Sequence, residues 1–204
     1  MQSLKLGFLA SHGGSNMQAI IDACKKGRLH ADPRVVISNN SNSGALERAR
    51  REGIPAYHLS GRTHPDPGEL EKAILATLKR RGAEVVCLTG YMKRLGAAVV
   101  SAYRGRILNI HPALLPKFGG RGLYGRAVHE AVLAAAEKES GATVHLVDEE
   151  YDHGPVLAQR KVAVMAGDDP DVLSARVLRQ EHILYAEVLQ KIARGEIRLV
   201  DFGA

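Results

Sequence analysis

The sequence predicts an α/β fold, a single domain built on one mostly parallel twisted sheet with helices on both faces. Three observations predict it. The first half alternates short β-branched runs with capped amphipathic segments, the pattern of strands joined by crossover helices. The run Val85–Leu88 is apolar at four successive positions, as a central strand covered on both faces requires. Later, the strand-like runs 143–147 and 156–164 are separated only by the acidic turn 148–155, short enough for an antiparallel pair. The composition admits such a fold, since 204 residues can bury a real core and 45% hydrophobic with 25% charged residues is ordinary for a globular chain.

Each element has its own signal. Residues 4–10 read as the first strand. Ser15 and Gln18 stand at capping-box spacing ahead of a helix that carries Met17, Ile20, Ile21 and Cys24 on one face and stops at Lys25-Lys26-Gly27. A strand over 35–38, a helix over 45–51 closed by Gly53 and a strand over 56–59 follow. Asp66 is placed to cap the next helix, with Pro67 at its first position, Glu69 at the third and Gly82 beyond its end. After the central strand come a helix near 97–103 and a strand over 106–110 ending at His111-Pro112. Residues 113–125, rich in Gly and Pro, read as a long surface loop before a helix over 127–136. The antiparallel pair, a long helix from Pro170 to about Arg194 and a short strand over 197–200 complete the chain.

The longest apolar run, 131–136, is far short of a membrane span. The first residues lack the basic and apolar segments of a secretory signal, so a cytoplasmic protein is expected. Cys24 and Cys87 suit two reduced structural thiols. A net charge of +6 points to anionic partners. Many of the cations close helices (Lys25-Lys26, Arg50-Arg51, Lys79-Arg80-Arg81, Arg194) and form no basic block, and with no Trp, three Phe and six Tyr there is little material for base stacking. Small anions are therefore favoured over nucleic acid.

His12-Gly13-Gly14-Ser15-Asn16 lies between the first strand and the first helix, where backbone N–H groups can hold an anion. Its spacing fits neither a dinucleotide fingerprint nor a Walker loop, which favours a monophosphate over NAD or ATP. Asn109 and His111, two apart on a strand, share one face at its carboxyl end, where ligands bind in open α/β sheets. An amide beside an imidazole can stabilise an oxyanion and manage a proton. Asp152 falls in the acidic turn, where carboxylates are usually solvated. Glu181 interrupts the apolar stripe Leu173, Val177, Leu184 and Val188, so it needs a buried partner or a ligand hydroxyl. His145, between Val144 and Leu146, reads as a satisfied sheet residue. No metal-ligand spacing and no G-x-S-x-G elbow occur, which leaves direct attack of one substrate on another.

With Leu108-Asn109-Ile110-His111-Pro112-Ala113-Leu114-Leu115-Pro116, Gly14-Ser15-Asn16, Gly90-Tyr91-Met92 and Asp152-His153-Gly154-Pro155 in view, the chain resembles the folate-dependent formyltransferases over nearly its whole length. The resemblance implies one formyltransferase domain over 1–204, Rossmann-like and phosphate-binding over about 1–105, folate-binding and catalytic over about 106–204. It implies formyl transfer from 10-formyltetrahydrofolate to the amine of glycinamide ribonucleotide, a step of purine biosynthesis. No metal, nucleic acid or membrane is implied, and the protein would be a monomer or homodimer. Gly14, Ser15 and Asn16 would hold the ribonucleotide's phosphate, and Glu181 its ribose hydroxyls. Asn109, His111 and Asp152 would form the catalytic group, Asn109 and His111 stabilising the oxyanion while Asp152 raises the imidazole's proton affinity and relays a proton. Met92, Lys93, Arg94 and Leu95, with Asn109 and the turn from Asp148 to Asp152, would line the folate pocket. The chain departs from the family at Lys93-Arg94, where M-R-[IL]-L is common, and at Thr63-His64-Pro65-Asp66-Pro67, where many relatives carry an Arg before the third helix.

Overall fold

The computed structural model describes residues 3–199. Its elements run β1 (Leu4–Leu9), α1 (Ser15–Lys25), β2 (Ala31–Ser38), α2 (Gly44–Arg51), β3 (Ala56–His58), α3 (Pro67–Arg80), β4 (Val85–Leu88), α4 (Ala97–Ala102), β5 (Ile107–His111), α5 (Arg126–Ala134), β6 (Glu139–Leu146), β7 (Val156–Ala163) and α6 (Pro170–Ala193). The strands form one sheet in the order β3-β2-β1-β4-β5-β6-β7. Neighbours from β3 to β5 pair in parallel, and β6 pairs antiparallel with both β5 and β7. The predicted fold class is the observed one. The strand order reverses between β1 and β4, so the loops leaving their carboxyl ends flank the crevice where open α/β sheets bind ligands.

Strand alternation assigns each face. Leu6 and Phe8 of β1, Val85 and Cys87 of β4, and Leu108 and Ile110 of β5 share a core with α1, α2, α5 and α6. Leu9, Val86, Leu88 and Ile107 face the other way and pack with Ile74 and Leu78 of α3 and Val99 and Val100 of α4. Asn109, His111, Thr143 and His145 lie on this second face, beyond the reach of α3 and α4, and are covered by loops. Thr143 ties one of them down, its hydroxyl reaching Ala113 O at 2.6 Å and accepting from Leu115 N at 3.1 Å. Polar side chains can occupy this half of the sheet because loop backbone, unlike a helix face, supplies hydrogen-bond partners.

Several boundaries differ from the sequence reading. The α3 cap forms as expected, Asp66 accepting from Glu69 N at 2.8 Å. The capping box of α1 does not: the N-cap is Gly14, without a side-chain cap, and Gln18 instead donates to Asp22 and Glu52 at 2.9 and 3.0 Å. β2 begins earlier, at Ala31, because the edge partner β3 pairs only from Val36 onward and leaves Pro33 without a donor to supply on that side. α5 stops at Ala134, and Ala136 turns left-handed at φ 51°. Residues 197–199 are not a strand, although Ile197 and Leu199 pack on the core; position 200 lies outside the described residues. Both cysteines are free thiols, and burial pushes Cys87 up to about 12. Among the described residues no helix is long and apolar enough to cross a membrane.

Candidate active site

The loop after β1 turns into α1 through Gly14 at φ 71°. A Cβ there would lie 2.8 Å from Ala45 Cβ and 2.9 Å from Ala45 Cα, so both conformation and space require glycine. With no side chain over the helix start, the first amides of α1 remain open to an anion. Asn16, in this first turn, donates from Nδ2 to Glu181 Oε2 at 2.6 Å. This bond explains how the acid survives on the apolar stripe of α6. Burial pushes the Glu181 carboxyl above its usual range, partly offset by the Asn16 amide. Among the described residues Asn16 Oδ1 is buried without a partner. The structure thus brings Gly14, Ser15, Asn16 and Glu181 together from opposite ends of the chain.

The second cluster is built across the β5–β6 pair, where Asn109 stands opposite His145. His145 Nδ1 donates to Leu146 O at 2.8 Å, so its Nε2 accepts from Asn109 Nδ2 at 3.1 Å. One N–H of the Asn109 amide is committed, and among the described residues the other has no acceptor. His111 donates Nε2–H to Phe118 O at 2.8 Å, which leaves Nδ1 as its basic atom. Asp152 sits between the imidazoles, Oδ2 at 3.5 Å from His111 Nδ1 and Oδ1 at 3.5 Å from His145 Nε2. Its side chain is only 13% exposed, unlike a typical turn carboxylate. The chain turns it inward with φ 55° at Asp152, and Gly120 N–H donates to Oδ2 at 3.0 Å. Gly154, in the same turn, has no room for a side chain: a Cβ would lie 2.0 Å from Leu146 O. That contact gives the D-x-G-P spacing a steric cause.

Burial works to raise the Asp152 carboxyl, but the His145 and His111 imidazoles in their protonated forms and the Gly120 amide outweigh it, so Asp152 lies below its ordinary value. For His111 burial is the largest influence and lowers its affinity for a proton, outweighing Asp152 and the Phe118 carbonyl. Asp152 acts in the expected direction, raising the imidazole's proton affinity, but burial outweighs it and leaves His111 below its ordinary value. His145 is the residue the sequence reading passed over. Its signal lay in strand register, which only the folded pairing with Asn109 supplies.

The segment after β4 borders this cluster. Met92 N–H donates to Ser11 Oγ at 2.7 Å, and Ser11 N–H donates to Gly90 O at 2.9 Å, locking the β1 and β4 loops together. Arg94 reaches Glu149 O at 3.0 Å and so joins Met92–Leu95 to the turn that carries Asp152. Met92 is 42% exposed, whereas Leu95 is buried in the α3–α4 core. Asp148 pairs outward with His153 at 3.0 Å. Burial opposes the charge of Asp148, but the His153 contact and the Glu150 amide prevail and lower it. A cavity of about 490 Å³ lies among Arg94, Arg121, Glu149, Glu150 and Tyr151, and a groove of about 600 Å³ runs past Arg62, Glu71, Tyr91, Lys93 and Arg94. Among the described residues no group of three or more His, Cys, Asp or Glu side chains is placed to hold a metal ion.

A family model described as Formyl transferase matches residues 4–189. The chain belongs to the formyl transferase family. Among curated proteins, this formyl transferase is 43% identical over 200 residues to the chloroplastic phosphoribosylglycinamide formyltransferase of Arabidopsis thaliana, covering 98% of this chain and 68% of that one. It is 40% identical over 201 residues to the phosphoribosylglycinamide formyltransferase of Escherichia coli, covering 98% of this chain and 92% of that one. Of the plant enzyme from Vigna unguiculata, 44% identical, it spans 62% of the length. Among solved structures it is similar to glycinamide ribonucleotide transformylase 1 from Symbiobacterium toebii, with a TM-score of 0.89 at 37% identity over 95% of this chain and 89% of that one.

Proposed function

We propose that this formyl transferase moves the formyl group of 10-formyltetrahydrofolate to the amine of glycinamide ribonucleotide, with Asn109, His111 and Asp152 as the catalytic group. The observation that carries the reading is the buried assembly Asn109–His145–Asp152–His111, which holds one spare amide N–H and one basic imidazole nitrogen at the carboxyl end of β5. The names of the relatives support the acceptor. On this reading the chain is one formyl-transfer domain. Its first half, to about residue 105, seats the ribonucleotide, and its second half carries the catalytic group, with Met92–Leu95 and Glu181 crossing that division. Gly14, Ser15 and Asn16 take the phosphate and Glu181 the ribose. Met92, Lys93, Arg94, Leu95 and Asp148 frame the folate pocket, and Arg62, Lys93 and Arg94 are the cations available to the donor's carboxylates.

The geometry assigns each atom a task. As the amine nitrogen attacks the formyl carbon, negative charge grows on the formyl oxygen, and the uncommitted N–H of Asn109 donates to it. His145 holds the amide at the angle required, its own tautomer set by Leu146 O. The amine must lose one proton, and His111 Nδ1 accepts it, directly or through a water at Asp152. Asp152 steadies the imidazolium so formed. When the bond from carbon to the folate nitrogen breaks, His111 returns that proton to the departing nitrogen, and the balance closes without an external acid.

The burial of His111 sets the pH response. NMR titration of its ring is expected to give a midpoint below 6.5, and Asp152→Asn should lower it further by removing the charge that favours the imidazolium. A midpoint above 6.5 would show that Asp152 outweighs burial at this imidazole. Because the protein carries +6 and both substrates are anions, kcat/KM should fall with added salt, and insensitivity to salt would remove steering from the account. The reading itself is tested with a donor carrying an isotope-labelled formyl group. The label is expected in a formamide on the ribonucleotide; its release as free formate at the same rate would overturn the assignment of acceptor.

A further inference from the structure

The phosphate loop is held from behind by α2. His12 O accepts the Ala45 N–H at 3.0 Å, and Gly13 O accepts the Arg48 Nε–H at 2.9 Å. In a trans peptide the N–H points opposite to the C=O. These two bonds therefore turn the Gly13 and Gly14 N–H groups away from α2. Neither N–H, nor those of Ser15 and Asn16, donates to a backbone acceptor among the described residues. Ala45 of α2 stands so close behind Gly14 that a Cβ there would meet it at 2.8 Å.

Arg48 is an unusual residue to spend on a carbonyl. It is half-buried, and among the described residues no carboxylate lies within ion-pair distance of it; the neighbouring Glu47 faces Arg51 at 3.9 Å. Across the gap, on α6, its charge is felt by His182, beside the Asn16 partner Glu181. Burial first, and the Arg48 charge second, lower the proton affinity of His182. Arg48 thus places one uncompensated positive charge behind a set of outward-facing amides.

We propose that Arg48 is a positioning residue for the acceptor substrate: by fixing the plane of the Gly13–Gly14 peptide and holding its charge behind the loop, it sets the affinity for the phosphate dianion. The proposal rests on reading Gly14–Asn16 as the ribonucleotide's phosphate seat. Arg48→Ala and Arg48→Met, the second of which keeps most of the stem, should each raise KM for the ribonucleotide about tenfold, as losing a hydrogen bond with a charge behind it does. The inhibition constant of inorganic phosphate should rise by the same factor, with kcat and the donor's KM unchanged. Arg48→Lys, which keeps the charge and a donor able to reach the carbonyl, should recover most of the loss. A ribonucleotide KM within twofold of wild type in both truncations would overturn the proposal, as would a joint change in kcat and both KM values, the mark of general loosening. Failure of the parent reading shows separately, as a wild-type protein that does not formylate the ribonucleotide at all.

Discussion

Asn109→Ala is expected to lower kcat by about a hundredfold while changing either KM by no more than a few-fold, because preorganised donors act on charge that develops only in the transition state. Asn109 is suited to that role by what surrounds it. The amide is half-buried on β5, one N–H is fixed on His145 Nε2 at 3.1 Å, and the other has no partner among the described residues. A flexible amide would have to be oriented during the reaction, whereas this one is held beforehand. Truncation also leaves His145 Nε2 without its donor, so Asn109→Asp is the informative companion. It preserves shape yet presents a carboxylate to the oxyanion, and should be at least as slow. Steady-state kinetics with both substrates varied would check this, and wild-type kcat in Asn109→Ala would remove Asn109 from the mechanism.

Asp152→Asn should cost roughly a thousandfold in kcat, in the range found for groups that manage a proton. The substitution is nearly isosteric. Asparagine tolerates the left-handed backbone that Asp152 adopts at φ 55°, and its oxygen can still accept from Gly120 N–H. What it loses is the charge 3.5 Å from His111 Nδ1, and with it the stabilisation of the imidazolium. Stability changes in a defined direction as well. A carboxyl held below its ordinary value contributes stability above its unfolded pKa, and that contribution disappears as the pH falls through the folded pKa. The variant should therefore be slightly less stable than wild type at neutral pH and approach it in acid. Full turnover by Asp152→Asn would show that the imidazole works alone.

The parts of the fold that were legible in the sequence are those written in local chemistry. Asp66, Pro67 and Glu69 specify the start of α3 within four residues, and four apolar positions specify β4. The site was legible where a residue broke its own pattern: Glu181 on an apolar stripe, and Asn109 and His111 sharing one strand face at a proline stop. Other features depend on contacts distant in the chain. The start of β6, Glu139 to Ala142, is too small and polar to look like a strand, and it forms because β7 pairs along its whole length and Gly141 admits Arg160 O within 2.1 Å of where a Cβ would stand. Ser15 and Gln18 have the spacing of a cap, yet the loop needs Gly14 in the left-handed conformation, which moves the helix start by one residue. The partnership of His145 with Asn109 is a matter of register across a connection of 112–138, and no local pattern encodes it. The net shift of His111 was not legible for a related reason, since spacing reveals a neighbouring carboxylate but not the burial that outweighs it.

The central claim is that this site passes a formyl group from one bound substrate to the amine of another. Absorbance-followed turnover of 10-formyltetrahydrofolate by the purified protein, with and without glycinamide ribonucleotide, tests it most directly. The account predicts loss of the formyl donor only when the ribonucleotide is present, in amounts equal to the formylated product. Donor consumption at the same rate without the ribonucleotide, or none with it, would contradict the claim.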